Sequence, residues 1–538
     1  MIWSNDYGIS CWICLQLVNA WLVFCQKRKL GIPCINLILS FVISLLTVFI
    51  LVEIISLGNI RNWFSSTLGT GVFQRWYYNS RKSYYLWDID IALLTLLMAG
   101  LCLFFMYKMF VSVKSQSQES LYKNAILSFI CMTCFCAVQE YRLLSGGDSR
   151  EVAYSALFLI IIDELYDFFR KRLKDRAVLE KSILVLSAVT CLCWFVYTCK
   201  KEVQFNNQKY KEGTYIEQMG GNVTSLDSDL LRADSFLNGK EFFATYSSGQ
   251  EVVSDVYQPS GTDYIIHVLG DQQRAAYLNI FTKGDFDYTA TIKESFTDWE
   301  YWVQRANWFF YRELYQGWHP VFTNSYEVFW ERNKAGESHH IESGYVIESY
   351  IIDETTCKIS VSCEQPINGM ADVYIDYSIL KRKGLSSVFC FQQMLQVKNT
   401  GTIYANQGQY YESNYLRPTS AEYIPVRIVN GYGELTLTSQ PEKDTYLTVN
   451  SVACSKILTV DSDYVEITHL DTLDGRSKFY IPKTAKNINA LHNAATVEYG
   501  DFVSNVDEIY EENNSIVICC NIVYSQADHN NMLRIIGR

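Results

Sequence analysis

The sequence predicts an α-helical membrane domain of about six transmembrane helices, then an extracytoplasmic α/β domain and an all-β region of β-sandwich type. Three observations predict it. Apolar runs long enough to cross a bilayer crowd the first 200 residues. Charge divides at the same place. Residues 1–200 hold 19 Lys and Arg against 13 Asp and Glu, a net of +6; subtraction from the totals of 46 and 57 leaves 27 against 44, a net of −17, for residues 201–538. From about residue 343 the apolar pattern changes to period two.

A helix crossing the hydrocarbon needs about 20 mostly apolar residues. Six segments are candidates: 8–25, 35–57, 90–112, 125–141, 152–168 and 183–199. The last three are shorter or carry polar residues, among them Glu140, Asp163 and Glu164. Basic residues cluster in the odd loops (Lys27-Arg28-Lys29, Lys114 and Lys123, and six between Arg170 and Lys181), which places those loops in the cytoplasm. Six spans with the N-terminus outside put residues 200–538 outside as well. The first segment lacks a basic start and a convincing cleavage site, so it is expected to remain as a span.

Eleven of the 17 cysteines precede residue 200, mostly in apolar runs where Cys serves as a small hydrophobe. Cys131-Met-Thr-Cys134 has ligand spacing but no His or second pair beside it. The six later cysteines are too sparse for a disulfide framework, although one or two bridges would be compatible with them. The acidic, aromatic-rich later part argues against nucleic acid, whose phosphates it would repel.

Residues 201–240 read as a polar connector. From 241 to 342 an α/β domain is expected: strands at EFFATYSS, TDYIIHVLG, FDYTATI and YEVFWER, a helix at DQQRAAYLNIF opened by Asp271, and one long helix over DWEYWVQRANWFFYRELYQGW. Over 343–538, runs such as YVIESYIID, KISVSCE, ADVYIDYSIL, VFCFQQMLQV, YIPVRIV, GELTLTS and TYLTVNSVA are separated by turn residues, the pattern of one or two β-sandwiches.

The stretch from FFATYSSGQEVVSDVYQPSG to DWEYWVQRANWFFYRELYQGW resembles the outer region of bacterial GT-C membrane glycosyltransferases, the YfhO-like proteins of Gram-positive bacteria. Such enzymes have eight or more spans and a catalytic carboxylate in a first large outer loop. With about six segments and a short first loop, this chain is expected to be a reduced or N-terminally shortened relative. The resemblance implies a multi-pass protein of the cytoplasmic membrane that moves a sugar from a polyprenyl-phosphate carrier to a cell-surface glycan. The resemblance leaves room for a divalent cation as cofactor without fixing one, and membrane lipid, the polyprenyl-linked sugar donor and the cell-surface glycan are the implied partners.

That chemistry needs a carboxylate base at the outer membrane face and cations for the leaving phosphate. Asp88 and Asp90 are the candidate catalytic pair, with Arg75, Arg81, Lys82 and Arg142 as candidate contacts to the carrier phosphate. Interfacial anchoring explains the same aromatic and basic residues. Trp299, Trp302, Arg305 and Trp308 form a candidate glycan platform, and core packing is the competing explanation. Ser247 and Ser248 lack a G-x-S-x-G elbow, His267 is expected in the core, and His339-His340 is expected in solvent. No metal site is expected from the spacing of potential ligands.

Overall fold

A computed structural model describes residues 5–25, 31–55, 89–141, 148–172 and 176–536, except 247, 263, 269–270, 294–295, 297–299, 389, 391–392, 400–412, 417–418, 474–475, 485–486, 489–490, 492–493, 500–501 and 522–530. The chain forms two compact units, Met1–Phe205 with Phe389–Gln392, and Asn206–Val388 with Gln393–Arg538.

All six apolar segments are helical: α1 (Asn5–Cys25), α2 (Gly31–Ile55), α3 (Ile89–Lys114), α4 (Gln118–Tyr141), α5 (Asp148–Arg172) and α6 (Arg176–Glu212). Three contain stretches long and apolar enough to cross a membrane: Cys34–Leu51, Leu96–Lys114 and Leu184–Glu212. Whereas Met98, Phe105 and Met109 of the second are buried, the apolar side chains of the first and third face outward, Ile38 being 63% and Leu184 71% exposed. Such surface is stable in lipid and would be costly in water. Ser117 caps α4, its hydroxyl accepting from the amide of Ser120 at 3.3 Å. Three acidic residues of α5 are paired: Lys108 Nζ lies 2.6 Å from Glu164, and Lys123 Nζ lies 2.8 Å from both Asp163 and Asp167. Pairing across helices is what allows ionisable groups among apolar helices.

The second unit opens within the expected connector. After the end of α6 comes a hairpin, β1 (Thr214–Ile216) and β2 (Gly221–Val223), and then α7 (Asp227–Leu237). Helix α7 belongs to the α/β domain, because Ala233 and Leu237 share a core with Phe242, Ala244 and Phe329. The domain's sheet has β3 (Phe242–Ala244) parallel to β4 (Tyr288–Ile292), followed by antiparallel β6 (Glu327–Arg332) and β5 (Trp318–Thr323). On the opposite face Phe243 meets Tyr277 and Phe281 of α9 (Asp271–Lys283), with the short α8 (Ser248–Ser254) between β3 and α9 in the chain. Burial on both faces explains the unbroken apolar character of β3 and β4.

Two expectations for this domain change. TDYIIHVLG contributes only a bridge at Tyr264 and a 3-10 turn, Ile265–His267, and His267 is exposed instead of buried. The single long helix is two, α10 (Glu300–Ala306) and α11 (Trp308–Gly317), broken at Asn307. The Asn307 amide side chain donates to the Val303 carbonyl at 2.9 Å, competing with the helix backbone as Asn does.

The remaining strands are β7 (His340–Ile341), β8 (Tyr345–Ile351), β9 (Thr356–Cys363), β10 (Gly369–Lys381), β11 (Met394–Asn399), β12 (Ser413–Leu416), β13 (Thr419–Ile428), β14 (Tyr432–Gln440), β15 (Thr445–Leu458), β16 (Tyr464–Glu466), β17 (His469–Leu473), β18 (Arg476–Pro482), β19 (Thr496–Tyr499), β20 (Phe502–Glu512), β21 (Ser515–Cys520) and β22 (Met532–Ile536). They form sheets of order β13-β10-β15-β7, β12-β11-β14-β9-β8 and β16-β22-β19-β20-β21-β18-β17. The first two share one core, in which Val373, Ile375 and Tyr377 of β10 meet Ile359 and Val361 of β9 and Leu435 of β14. Alternate residues of each strand enter it, the period two read from the sequence. Gly369 is required where β10 begins, since a Cβ there would lie 2.3 Å from the Leu458 carbonyl oxygen. The seven-stranded sheet has its own core, including Phe479, Val497 and Leu533.

Two polar junctions tie these parts of the second unit together. Asp372 of β10 is wholly buried and accepts from Trp308 Nε1 at 2.9 Å, Arg312 Nη2 at 2.7 Å and Ser455 Oγ at 2.7 Å. Glu466 of β16 accepts from Lys293 Nζ at 2.9 Å and from Thr323 Oγ1 at 2.8 Å, and Asn531 bonds the Thr323 backbone from both sides. All seventeen cysteines are free thiols. Burial raises the Cys454 and Cys520 thiols to about 11.

Removing one partner of a buried ion pair strands the other charge. Asp372→Ala should therefore destabilise the second unit by roughly 3–5 kcal/mol, read as a lowered thermal midpoint of the detergent-solubilised full chain. An unchanged midpoint would remove Asp372 from its structural role.

Candidate functional site

Most of the residues expected to carry chemistry fall outside the described ones: Arg75, Arg81, Lys82, Asp88, Arg142 and Trp299. Asp90 occupies the first turn of α3, six residues before the apolar stretch that starts at Leu96. Trp302 lies on α10. Arg305 and Trp308 are buried, Trp308 to 2% exposure with its indole N–H on Asp372, so neither of its faces is open to a sugar. For Trp308 the packing explanation accounts for the residue.

A different group of functional side chains comes together where the α/β domain meets the later sheets. His339, expected in solvent, is 1% exposed, and its ligand atoms lie within 4.8 Å of those of His319 and Glu337. This corrects the expectation that no ligand set exists. His319 sits on β5 opposite Glu331 of β6, with Nε2 3.9 Å from the Glu331 carboxylate and Nδ1 3.0 Å from Asn333 Oδ1. After β6 the chain turns at Lys334–Glu337, the Glu337 amide donating to the Lys334 carbonyl at 3.0 Å. Gly336 takes φ +89° in that turn, a conformation side chains resist. Glu337 and His339 follow two residues apart, which in extended chain projects both to one side.

The later sheets close the group. Asp463 ends the short α12 (Val460–Asp463) and lies 3.5 Å from His339 Nδ1, while Glu337 Oε1 lies 3.6 Å from His339 Nε2. Thr459 fixes Asp463, donating its hydroxyl at 2.8 Å. Arg534 of β22, flanked across the strands by Tyr464 and Glu498, reaches Glu337 at 2.8 Å and Glu498 at 3.1 Å. The Tyr464 ring stacks on His319 at 5.7 Å and meets His339 edge-on at 5.6 Å. Burial pushes the Glu337 carboxyl up, but the neighbouring His319 and Arg534 charges hold it below its ordinary value. Burial likewise raises the Tyr464 phenol well above its usual range, so it stays protonated.

Neither ring nitrogen of His339 has a hydrogen-bond partner among the described residues. A fixed, buried imidazole beside a carboxylate and a second imidazole can bind a cation or share a proton. Sequence reading missed the group because its members come from segments separated by up to 215 positions, from His319 to Arg534. The Glu-Ser-His spacing after a glycine turn is the local signal that could have marked it.

No protein-family model matches the chain, and no curated protein matches it. Among solved structures, dimeric latent PorU from Porphyromonas gingivalis is similar over 40% of this chain and 24% of that one, at 9% identity and a TM-score of 0.14. The match thus spans about a quarter of that protein, and a likeness of this size carries no argument about fold or activity.

Proposed function

We propose that the protein is a multi-pass component of the bacterial cytoplasmic membrane, with six spans and its large unit outside, that assists assembly of a cell-surface polysaccharide. In this reading the paired sheets around β9 and β10 form a β-sandwich, and the outer unit binds or positions glycan without catalysing transfer. The observation that supports it is the contrast in burial. Helices α2 and α6 turn apolar side chains outward, whereas the second unit buries Phe242, Phe243, Trp308, Phe310 and Phe329 in its interior. The first surface suits lipid and the second suits water.

A second reading is sugar transfer of the GT-C kind from a polyprenyl-phosphate donor. The placement of Asp90 favours it, because a carboxylate at the start of a candidate span lies where an acceptor hydroxyl and a membrane-bound phosphate would meet. Asp88 and Asp90 would then supply the base, and Arg75, Arg81, Lys82 and Arg142 the cations opposite the phosphate.

Membrane integration is expected to survive an alkaline carbonate wash, with detergent needed for extraction; release by carbonate alone would overturn the spanning reading. The two functional readings separate in the sugar composition of purified wall polymers from a deletion strain complemented with the wild type or with Asp88→Asn plus Asp90→Asn. The assembly role predicts that deletion alters the polymer and that the double variant, once shown to reach the membrane, restores it. Failure to restore would favour transfer, and an unaltered polymer in the deletion would exclude both.

A further inference from the structure

We propose that His319, Glu337 and His339 form a binding site for one divalent transition-metal ion of the zinc class, at the junction of the α/β domain and the later sheets. The reading is independent of any role in polysaccharide assembly. Two imidazoles and a carboxylate are a ligand set suited to such ions. Their ligand atoms lie within 4.8 Å of one another. Zinc bonds of about 2.0–2.1 Å place tetrahedral ligand atoms about 3.4 Å apart, so closure needs movements of about 1 Å.

The surroundings fit as well as the ligands. His319 Nδ1 is 3.0 Å from the Asn333 amide oxygen, which fixes its proton there and leaves Nε2, 3.9 Å from the Glu331 carboxylate, as the ligand atom. His339 Nδ1 faces Asp463 at 3.5 Å, leaving Nε2 toward Glu337 at 3.6 Å. An imidazole held from behind by a carbonyl or carboxylate oxygen is the usual arrangement of a metal-bound histidine. His339 Nε2 lacks a hydrogen bond at 1% exposure, a cost that an ion bound there would relieve.

Charge points the same way. Glu331, Glu337, Asp463 and Glu498 surround the two imidazoles, and Arg534 is the cation that reaches Glu337 and Glu498 among the described residues. Those four carboxylates and one guanidinium leave a local charge of −3 that a dication would reduce. Arg534 occupies one side of Glu337 Oε1 and the Lys334 amide donates to Oε2 at 3.3 Å, so each carboxylate oxygen keeps a further lone pair for an ion.

The test uses the full chain in detergent, stripped with a chelator and titrated with Zn2+ against a chromophoric competitor, and separately with Co2+ followed by absorption. One Zn2+ per chain is expected, with Co2+ d–d bands and no thiolate charge-transfer band, which separates this site from the free cysteines. His339→Gln should weaken binding by more than about 100-fold and Asp463→Asn by about tenfold, since outer partners are worth 10–100-fold; His340→Gln should leave it unchanged. No stoichiometric uptake by the wild type, a thiolate band, or undiminished binding by His339→Gln would overturn the proposal. Should His339→Gln fail to fold, the wild-type cobalt spectrum and Asp463→Asn decide it.

Discussion

The arrangement of the second unit depends on the buried carboxylate of Asp372. A wholly buried charge is tolerated only when it is paired and its lone pairs are filled, and here three side chains from two elements do both. Because Trp308 and Arg312 stand one helical turn apart on α11, their two bonds fix both the position and the rotation of the helix on β10 and β15. Arg312 also lies over the Tyr423 ring at 3.7 Å. Burial pulls the guanidinium pKa down, but the bond to Asp372 and its charge raise it overall, so the guanidinium stays charged. The apolar cores supply most of the stabilising area, and this junction selects one way of putting them together.

The period-two runs marked β8, β9, β10, β13, β14 and β15 because each strand buries alternate residues in a shared core. DQQRAAYLNIF marked α9 through its acidic start and apolar spacing. Hidden features were those decided by partners remote in sequence. Asn307 breaks a pattern that reads as one helix, because its side chain satisfies a backbone carbonyl. TDYIIHVLG has strand composition, yet its described residues form a bridge at Tyr264 and a 3-10 turn, with the Ile265 amide donating to the Thr245 carbonyl. The seven strands from β16 to β22 are paired out of chain order, which no local pattern encodes.

The candidate sites divide along the same line. Aromatic density drew attention to Trp308, but density reports burial as readily as binding. The adjacent histidines drew little, being polar and next to glycine and glutamate. Neighbours in an extended chain point opposite ways, so one of two adjacent histidines turns inward while the other remains near solvent. His339 takes the inner side, and its companions come from β5 and from the turn after β6. The three lie within 21 residues of one another in the chain, and the later sheets add Asp463, Tyr464 and Arg534 around them.

The free thiols have a consequence for how the second unit matures. Cys454 and Cys520 are raised to about 11, so near neutral pH they are overwhelmingly protonated and poor nucleophiles. Cys357 and Cys363 are raised in the same direction by burial. A domain cross-linked by disulfides needs an oxidant and a correct pairing; the packing of this unit asks for neither at these four thiols, and their sulfur atoms act as filler in the core.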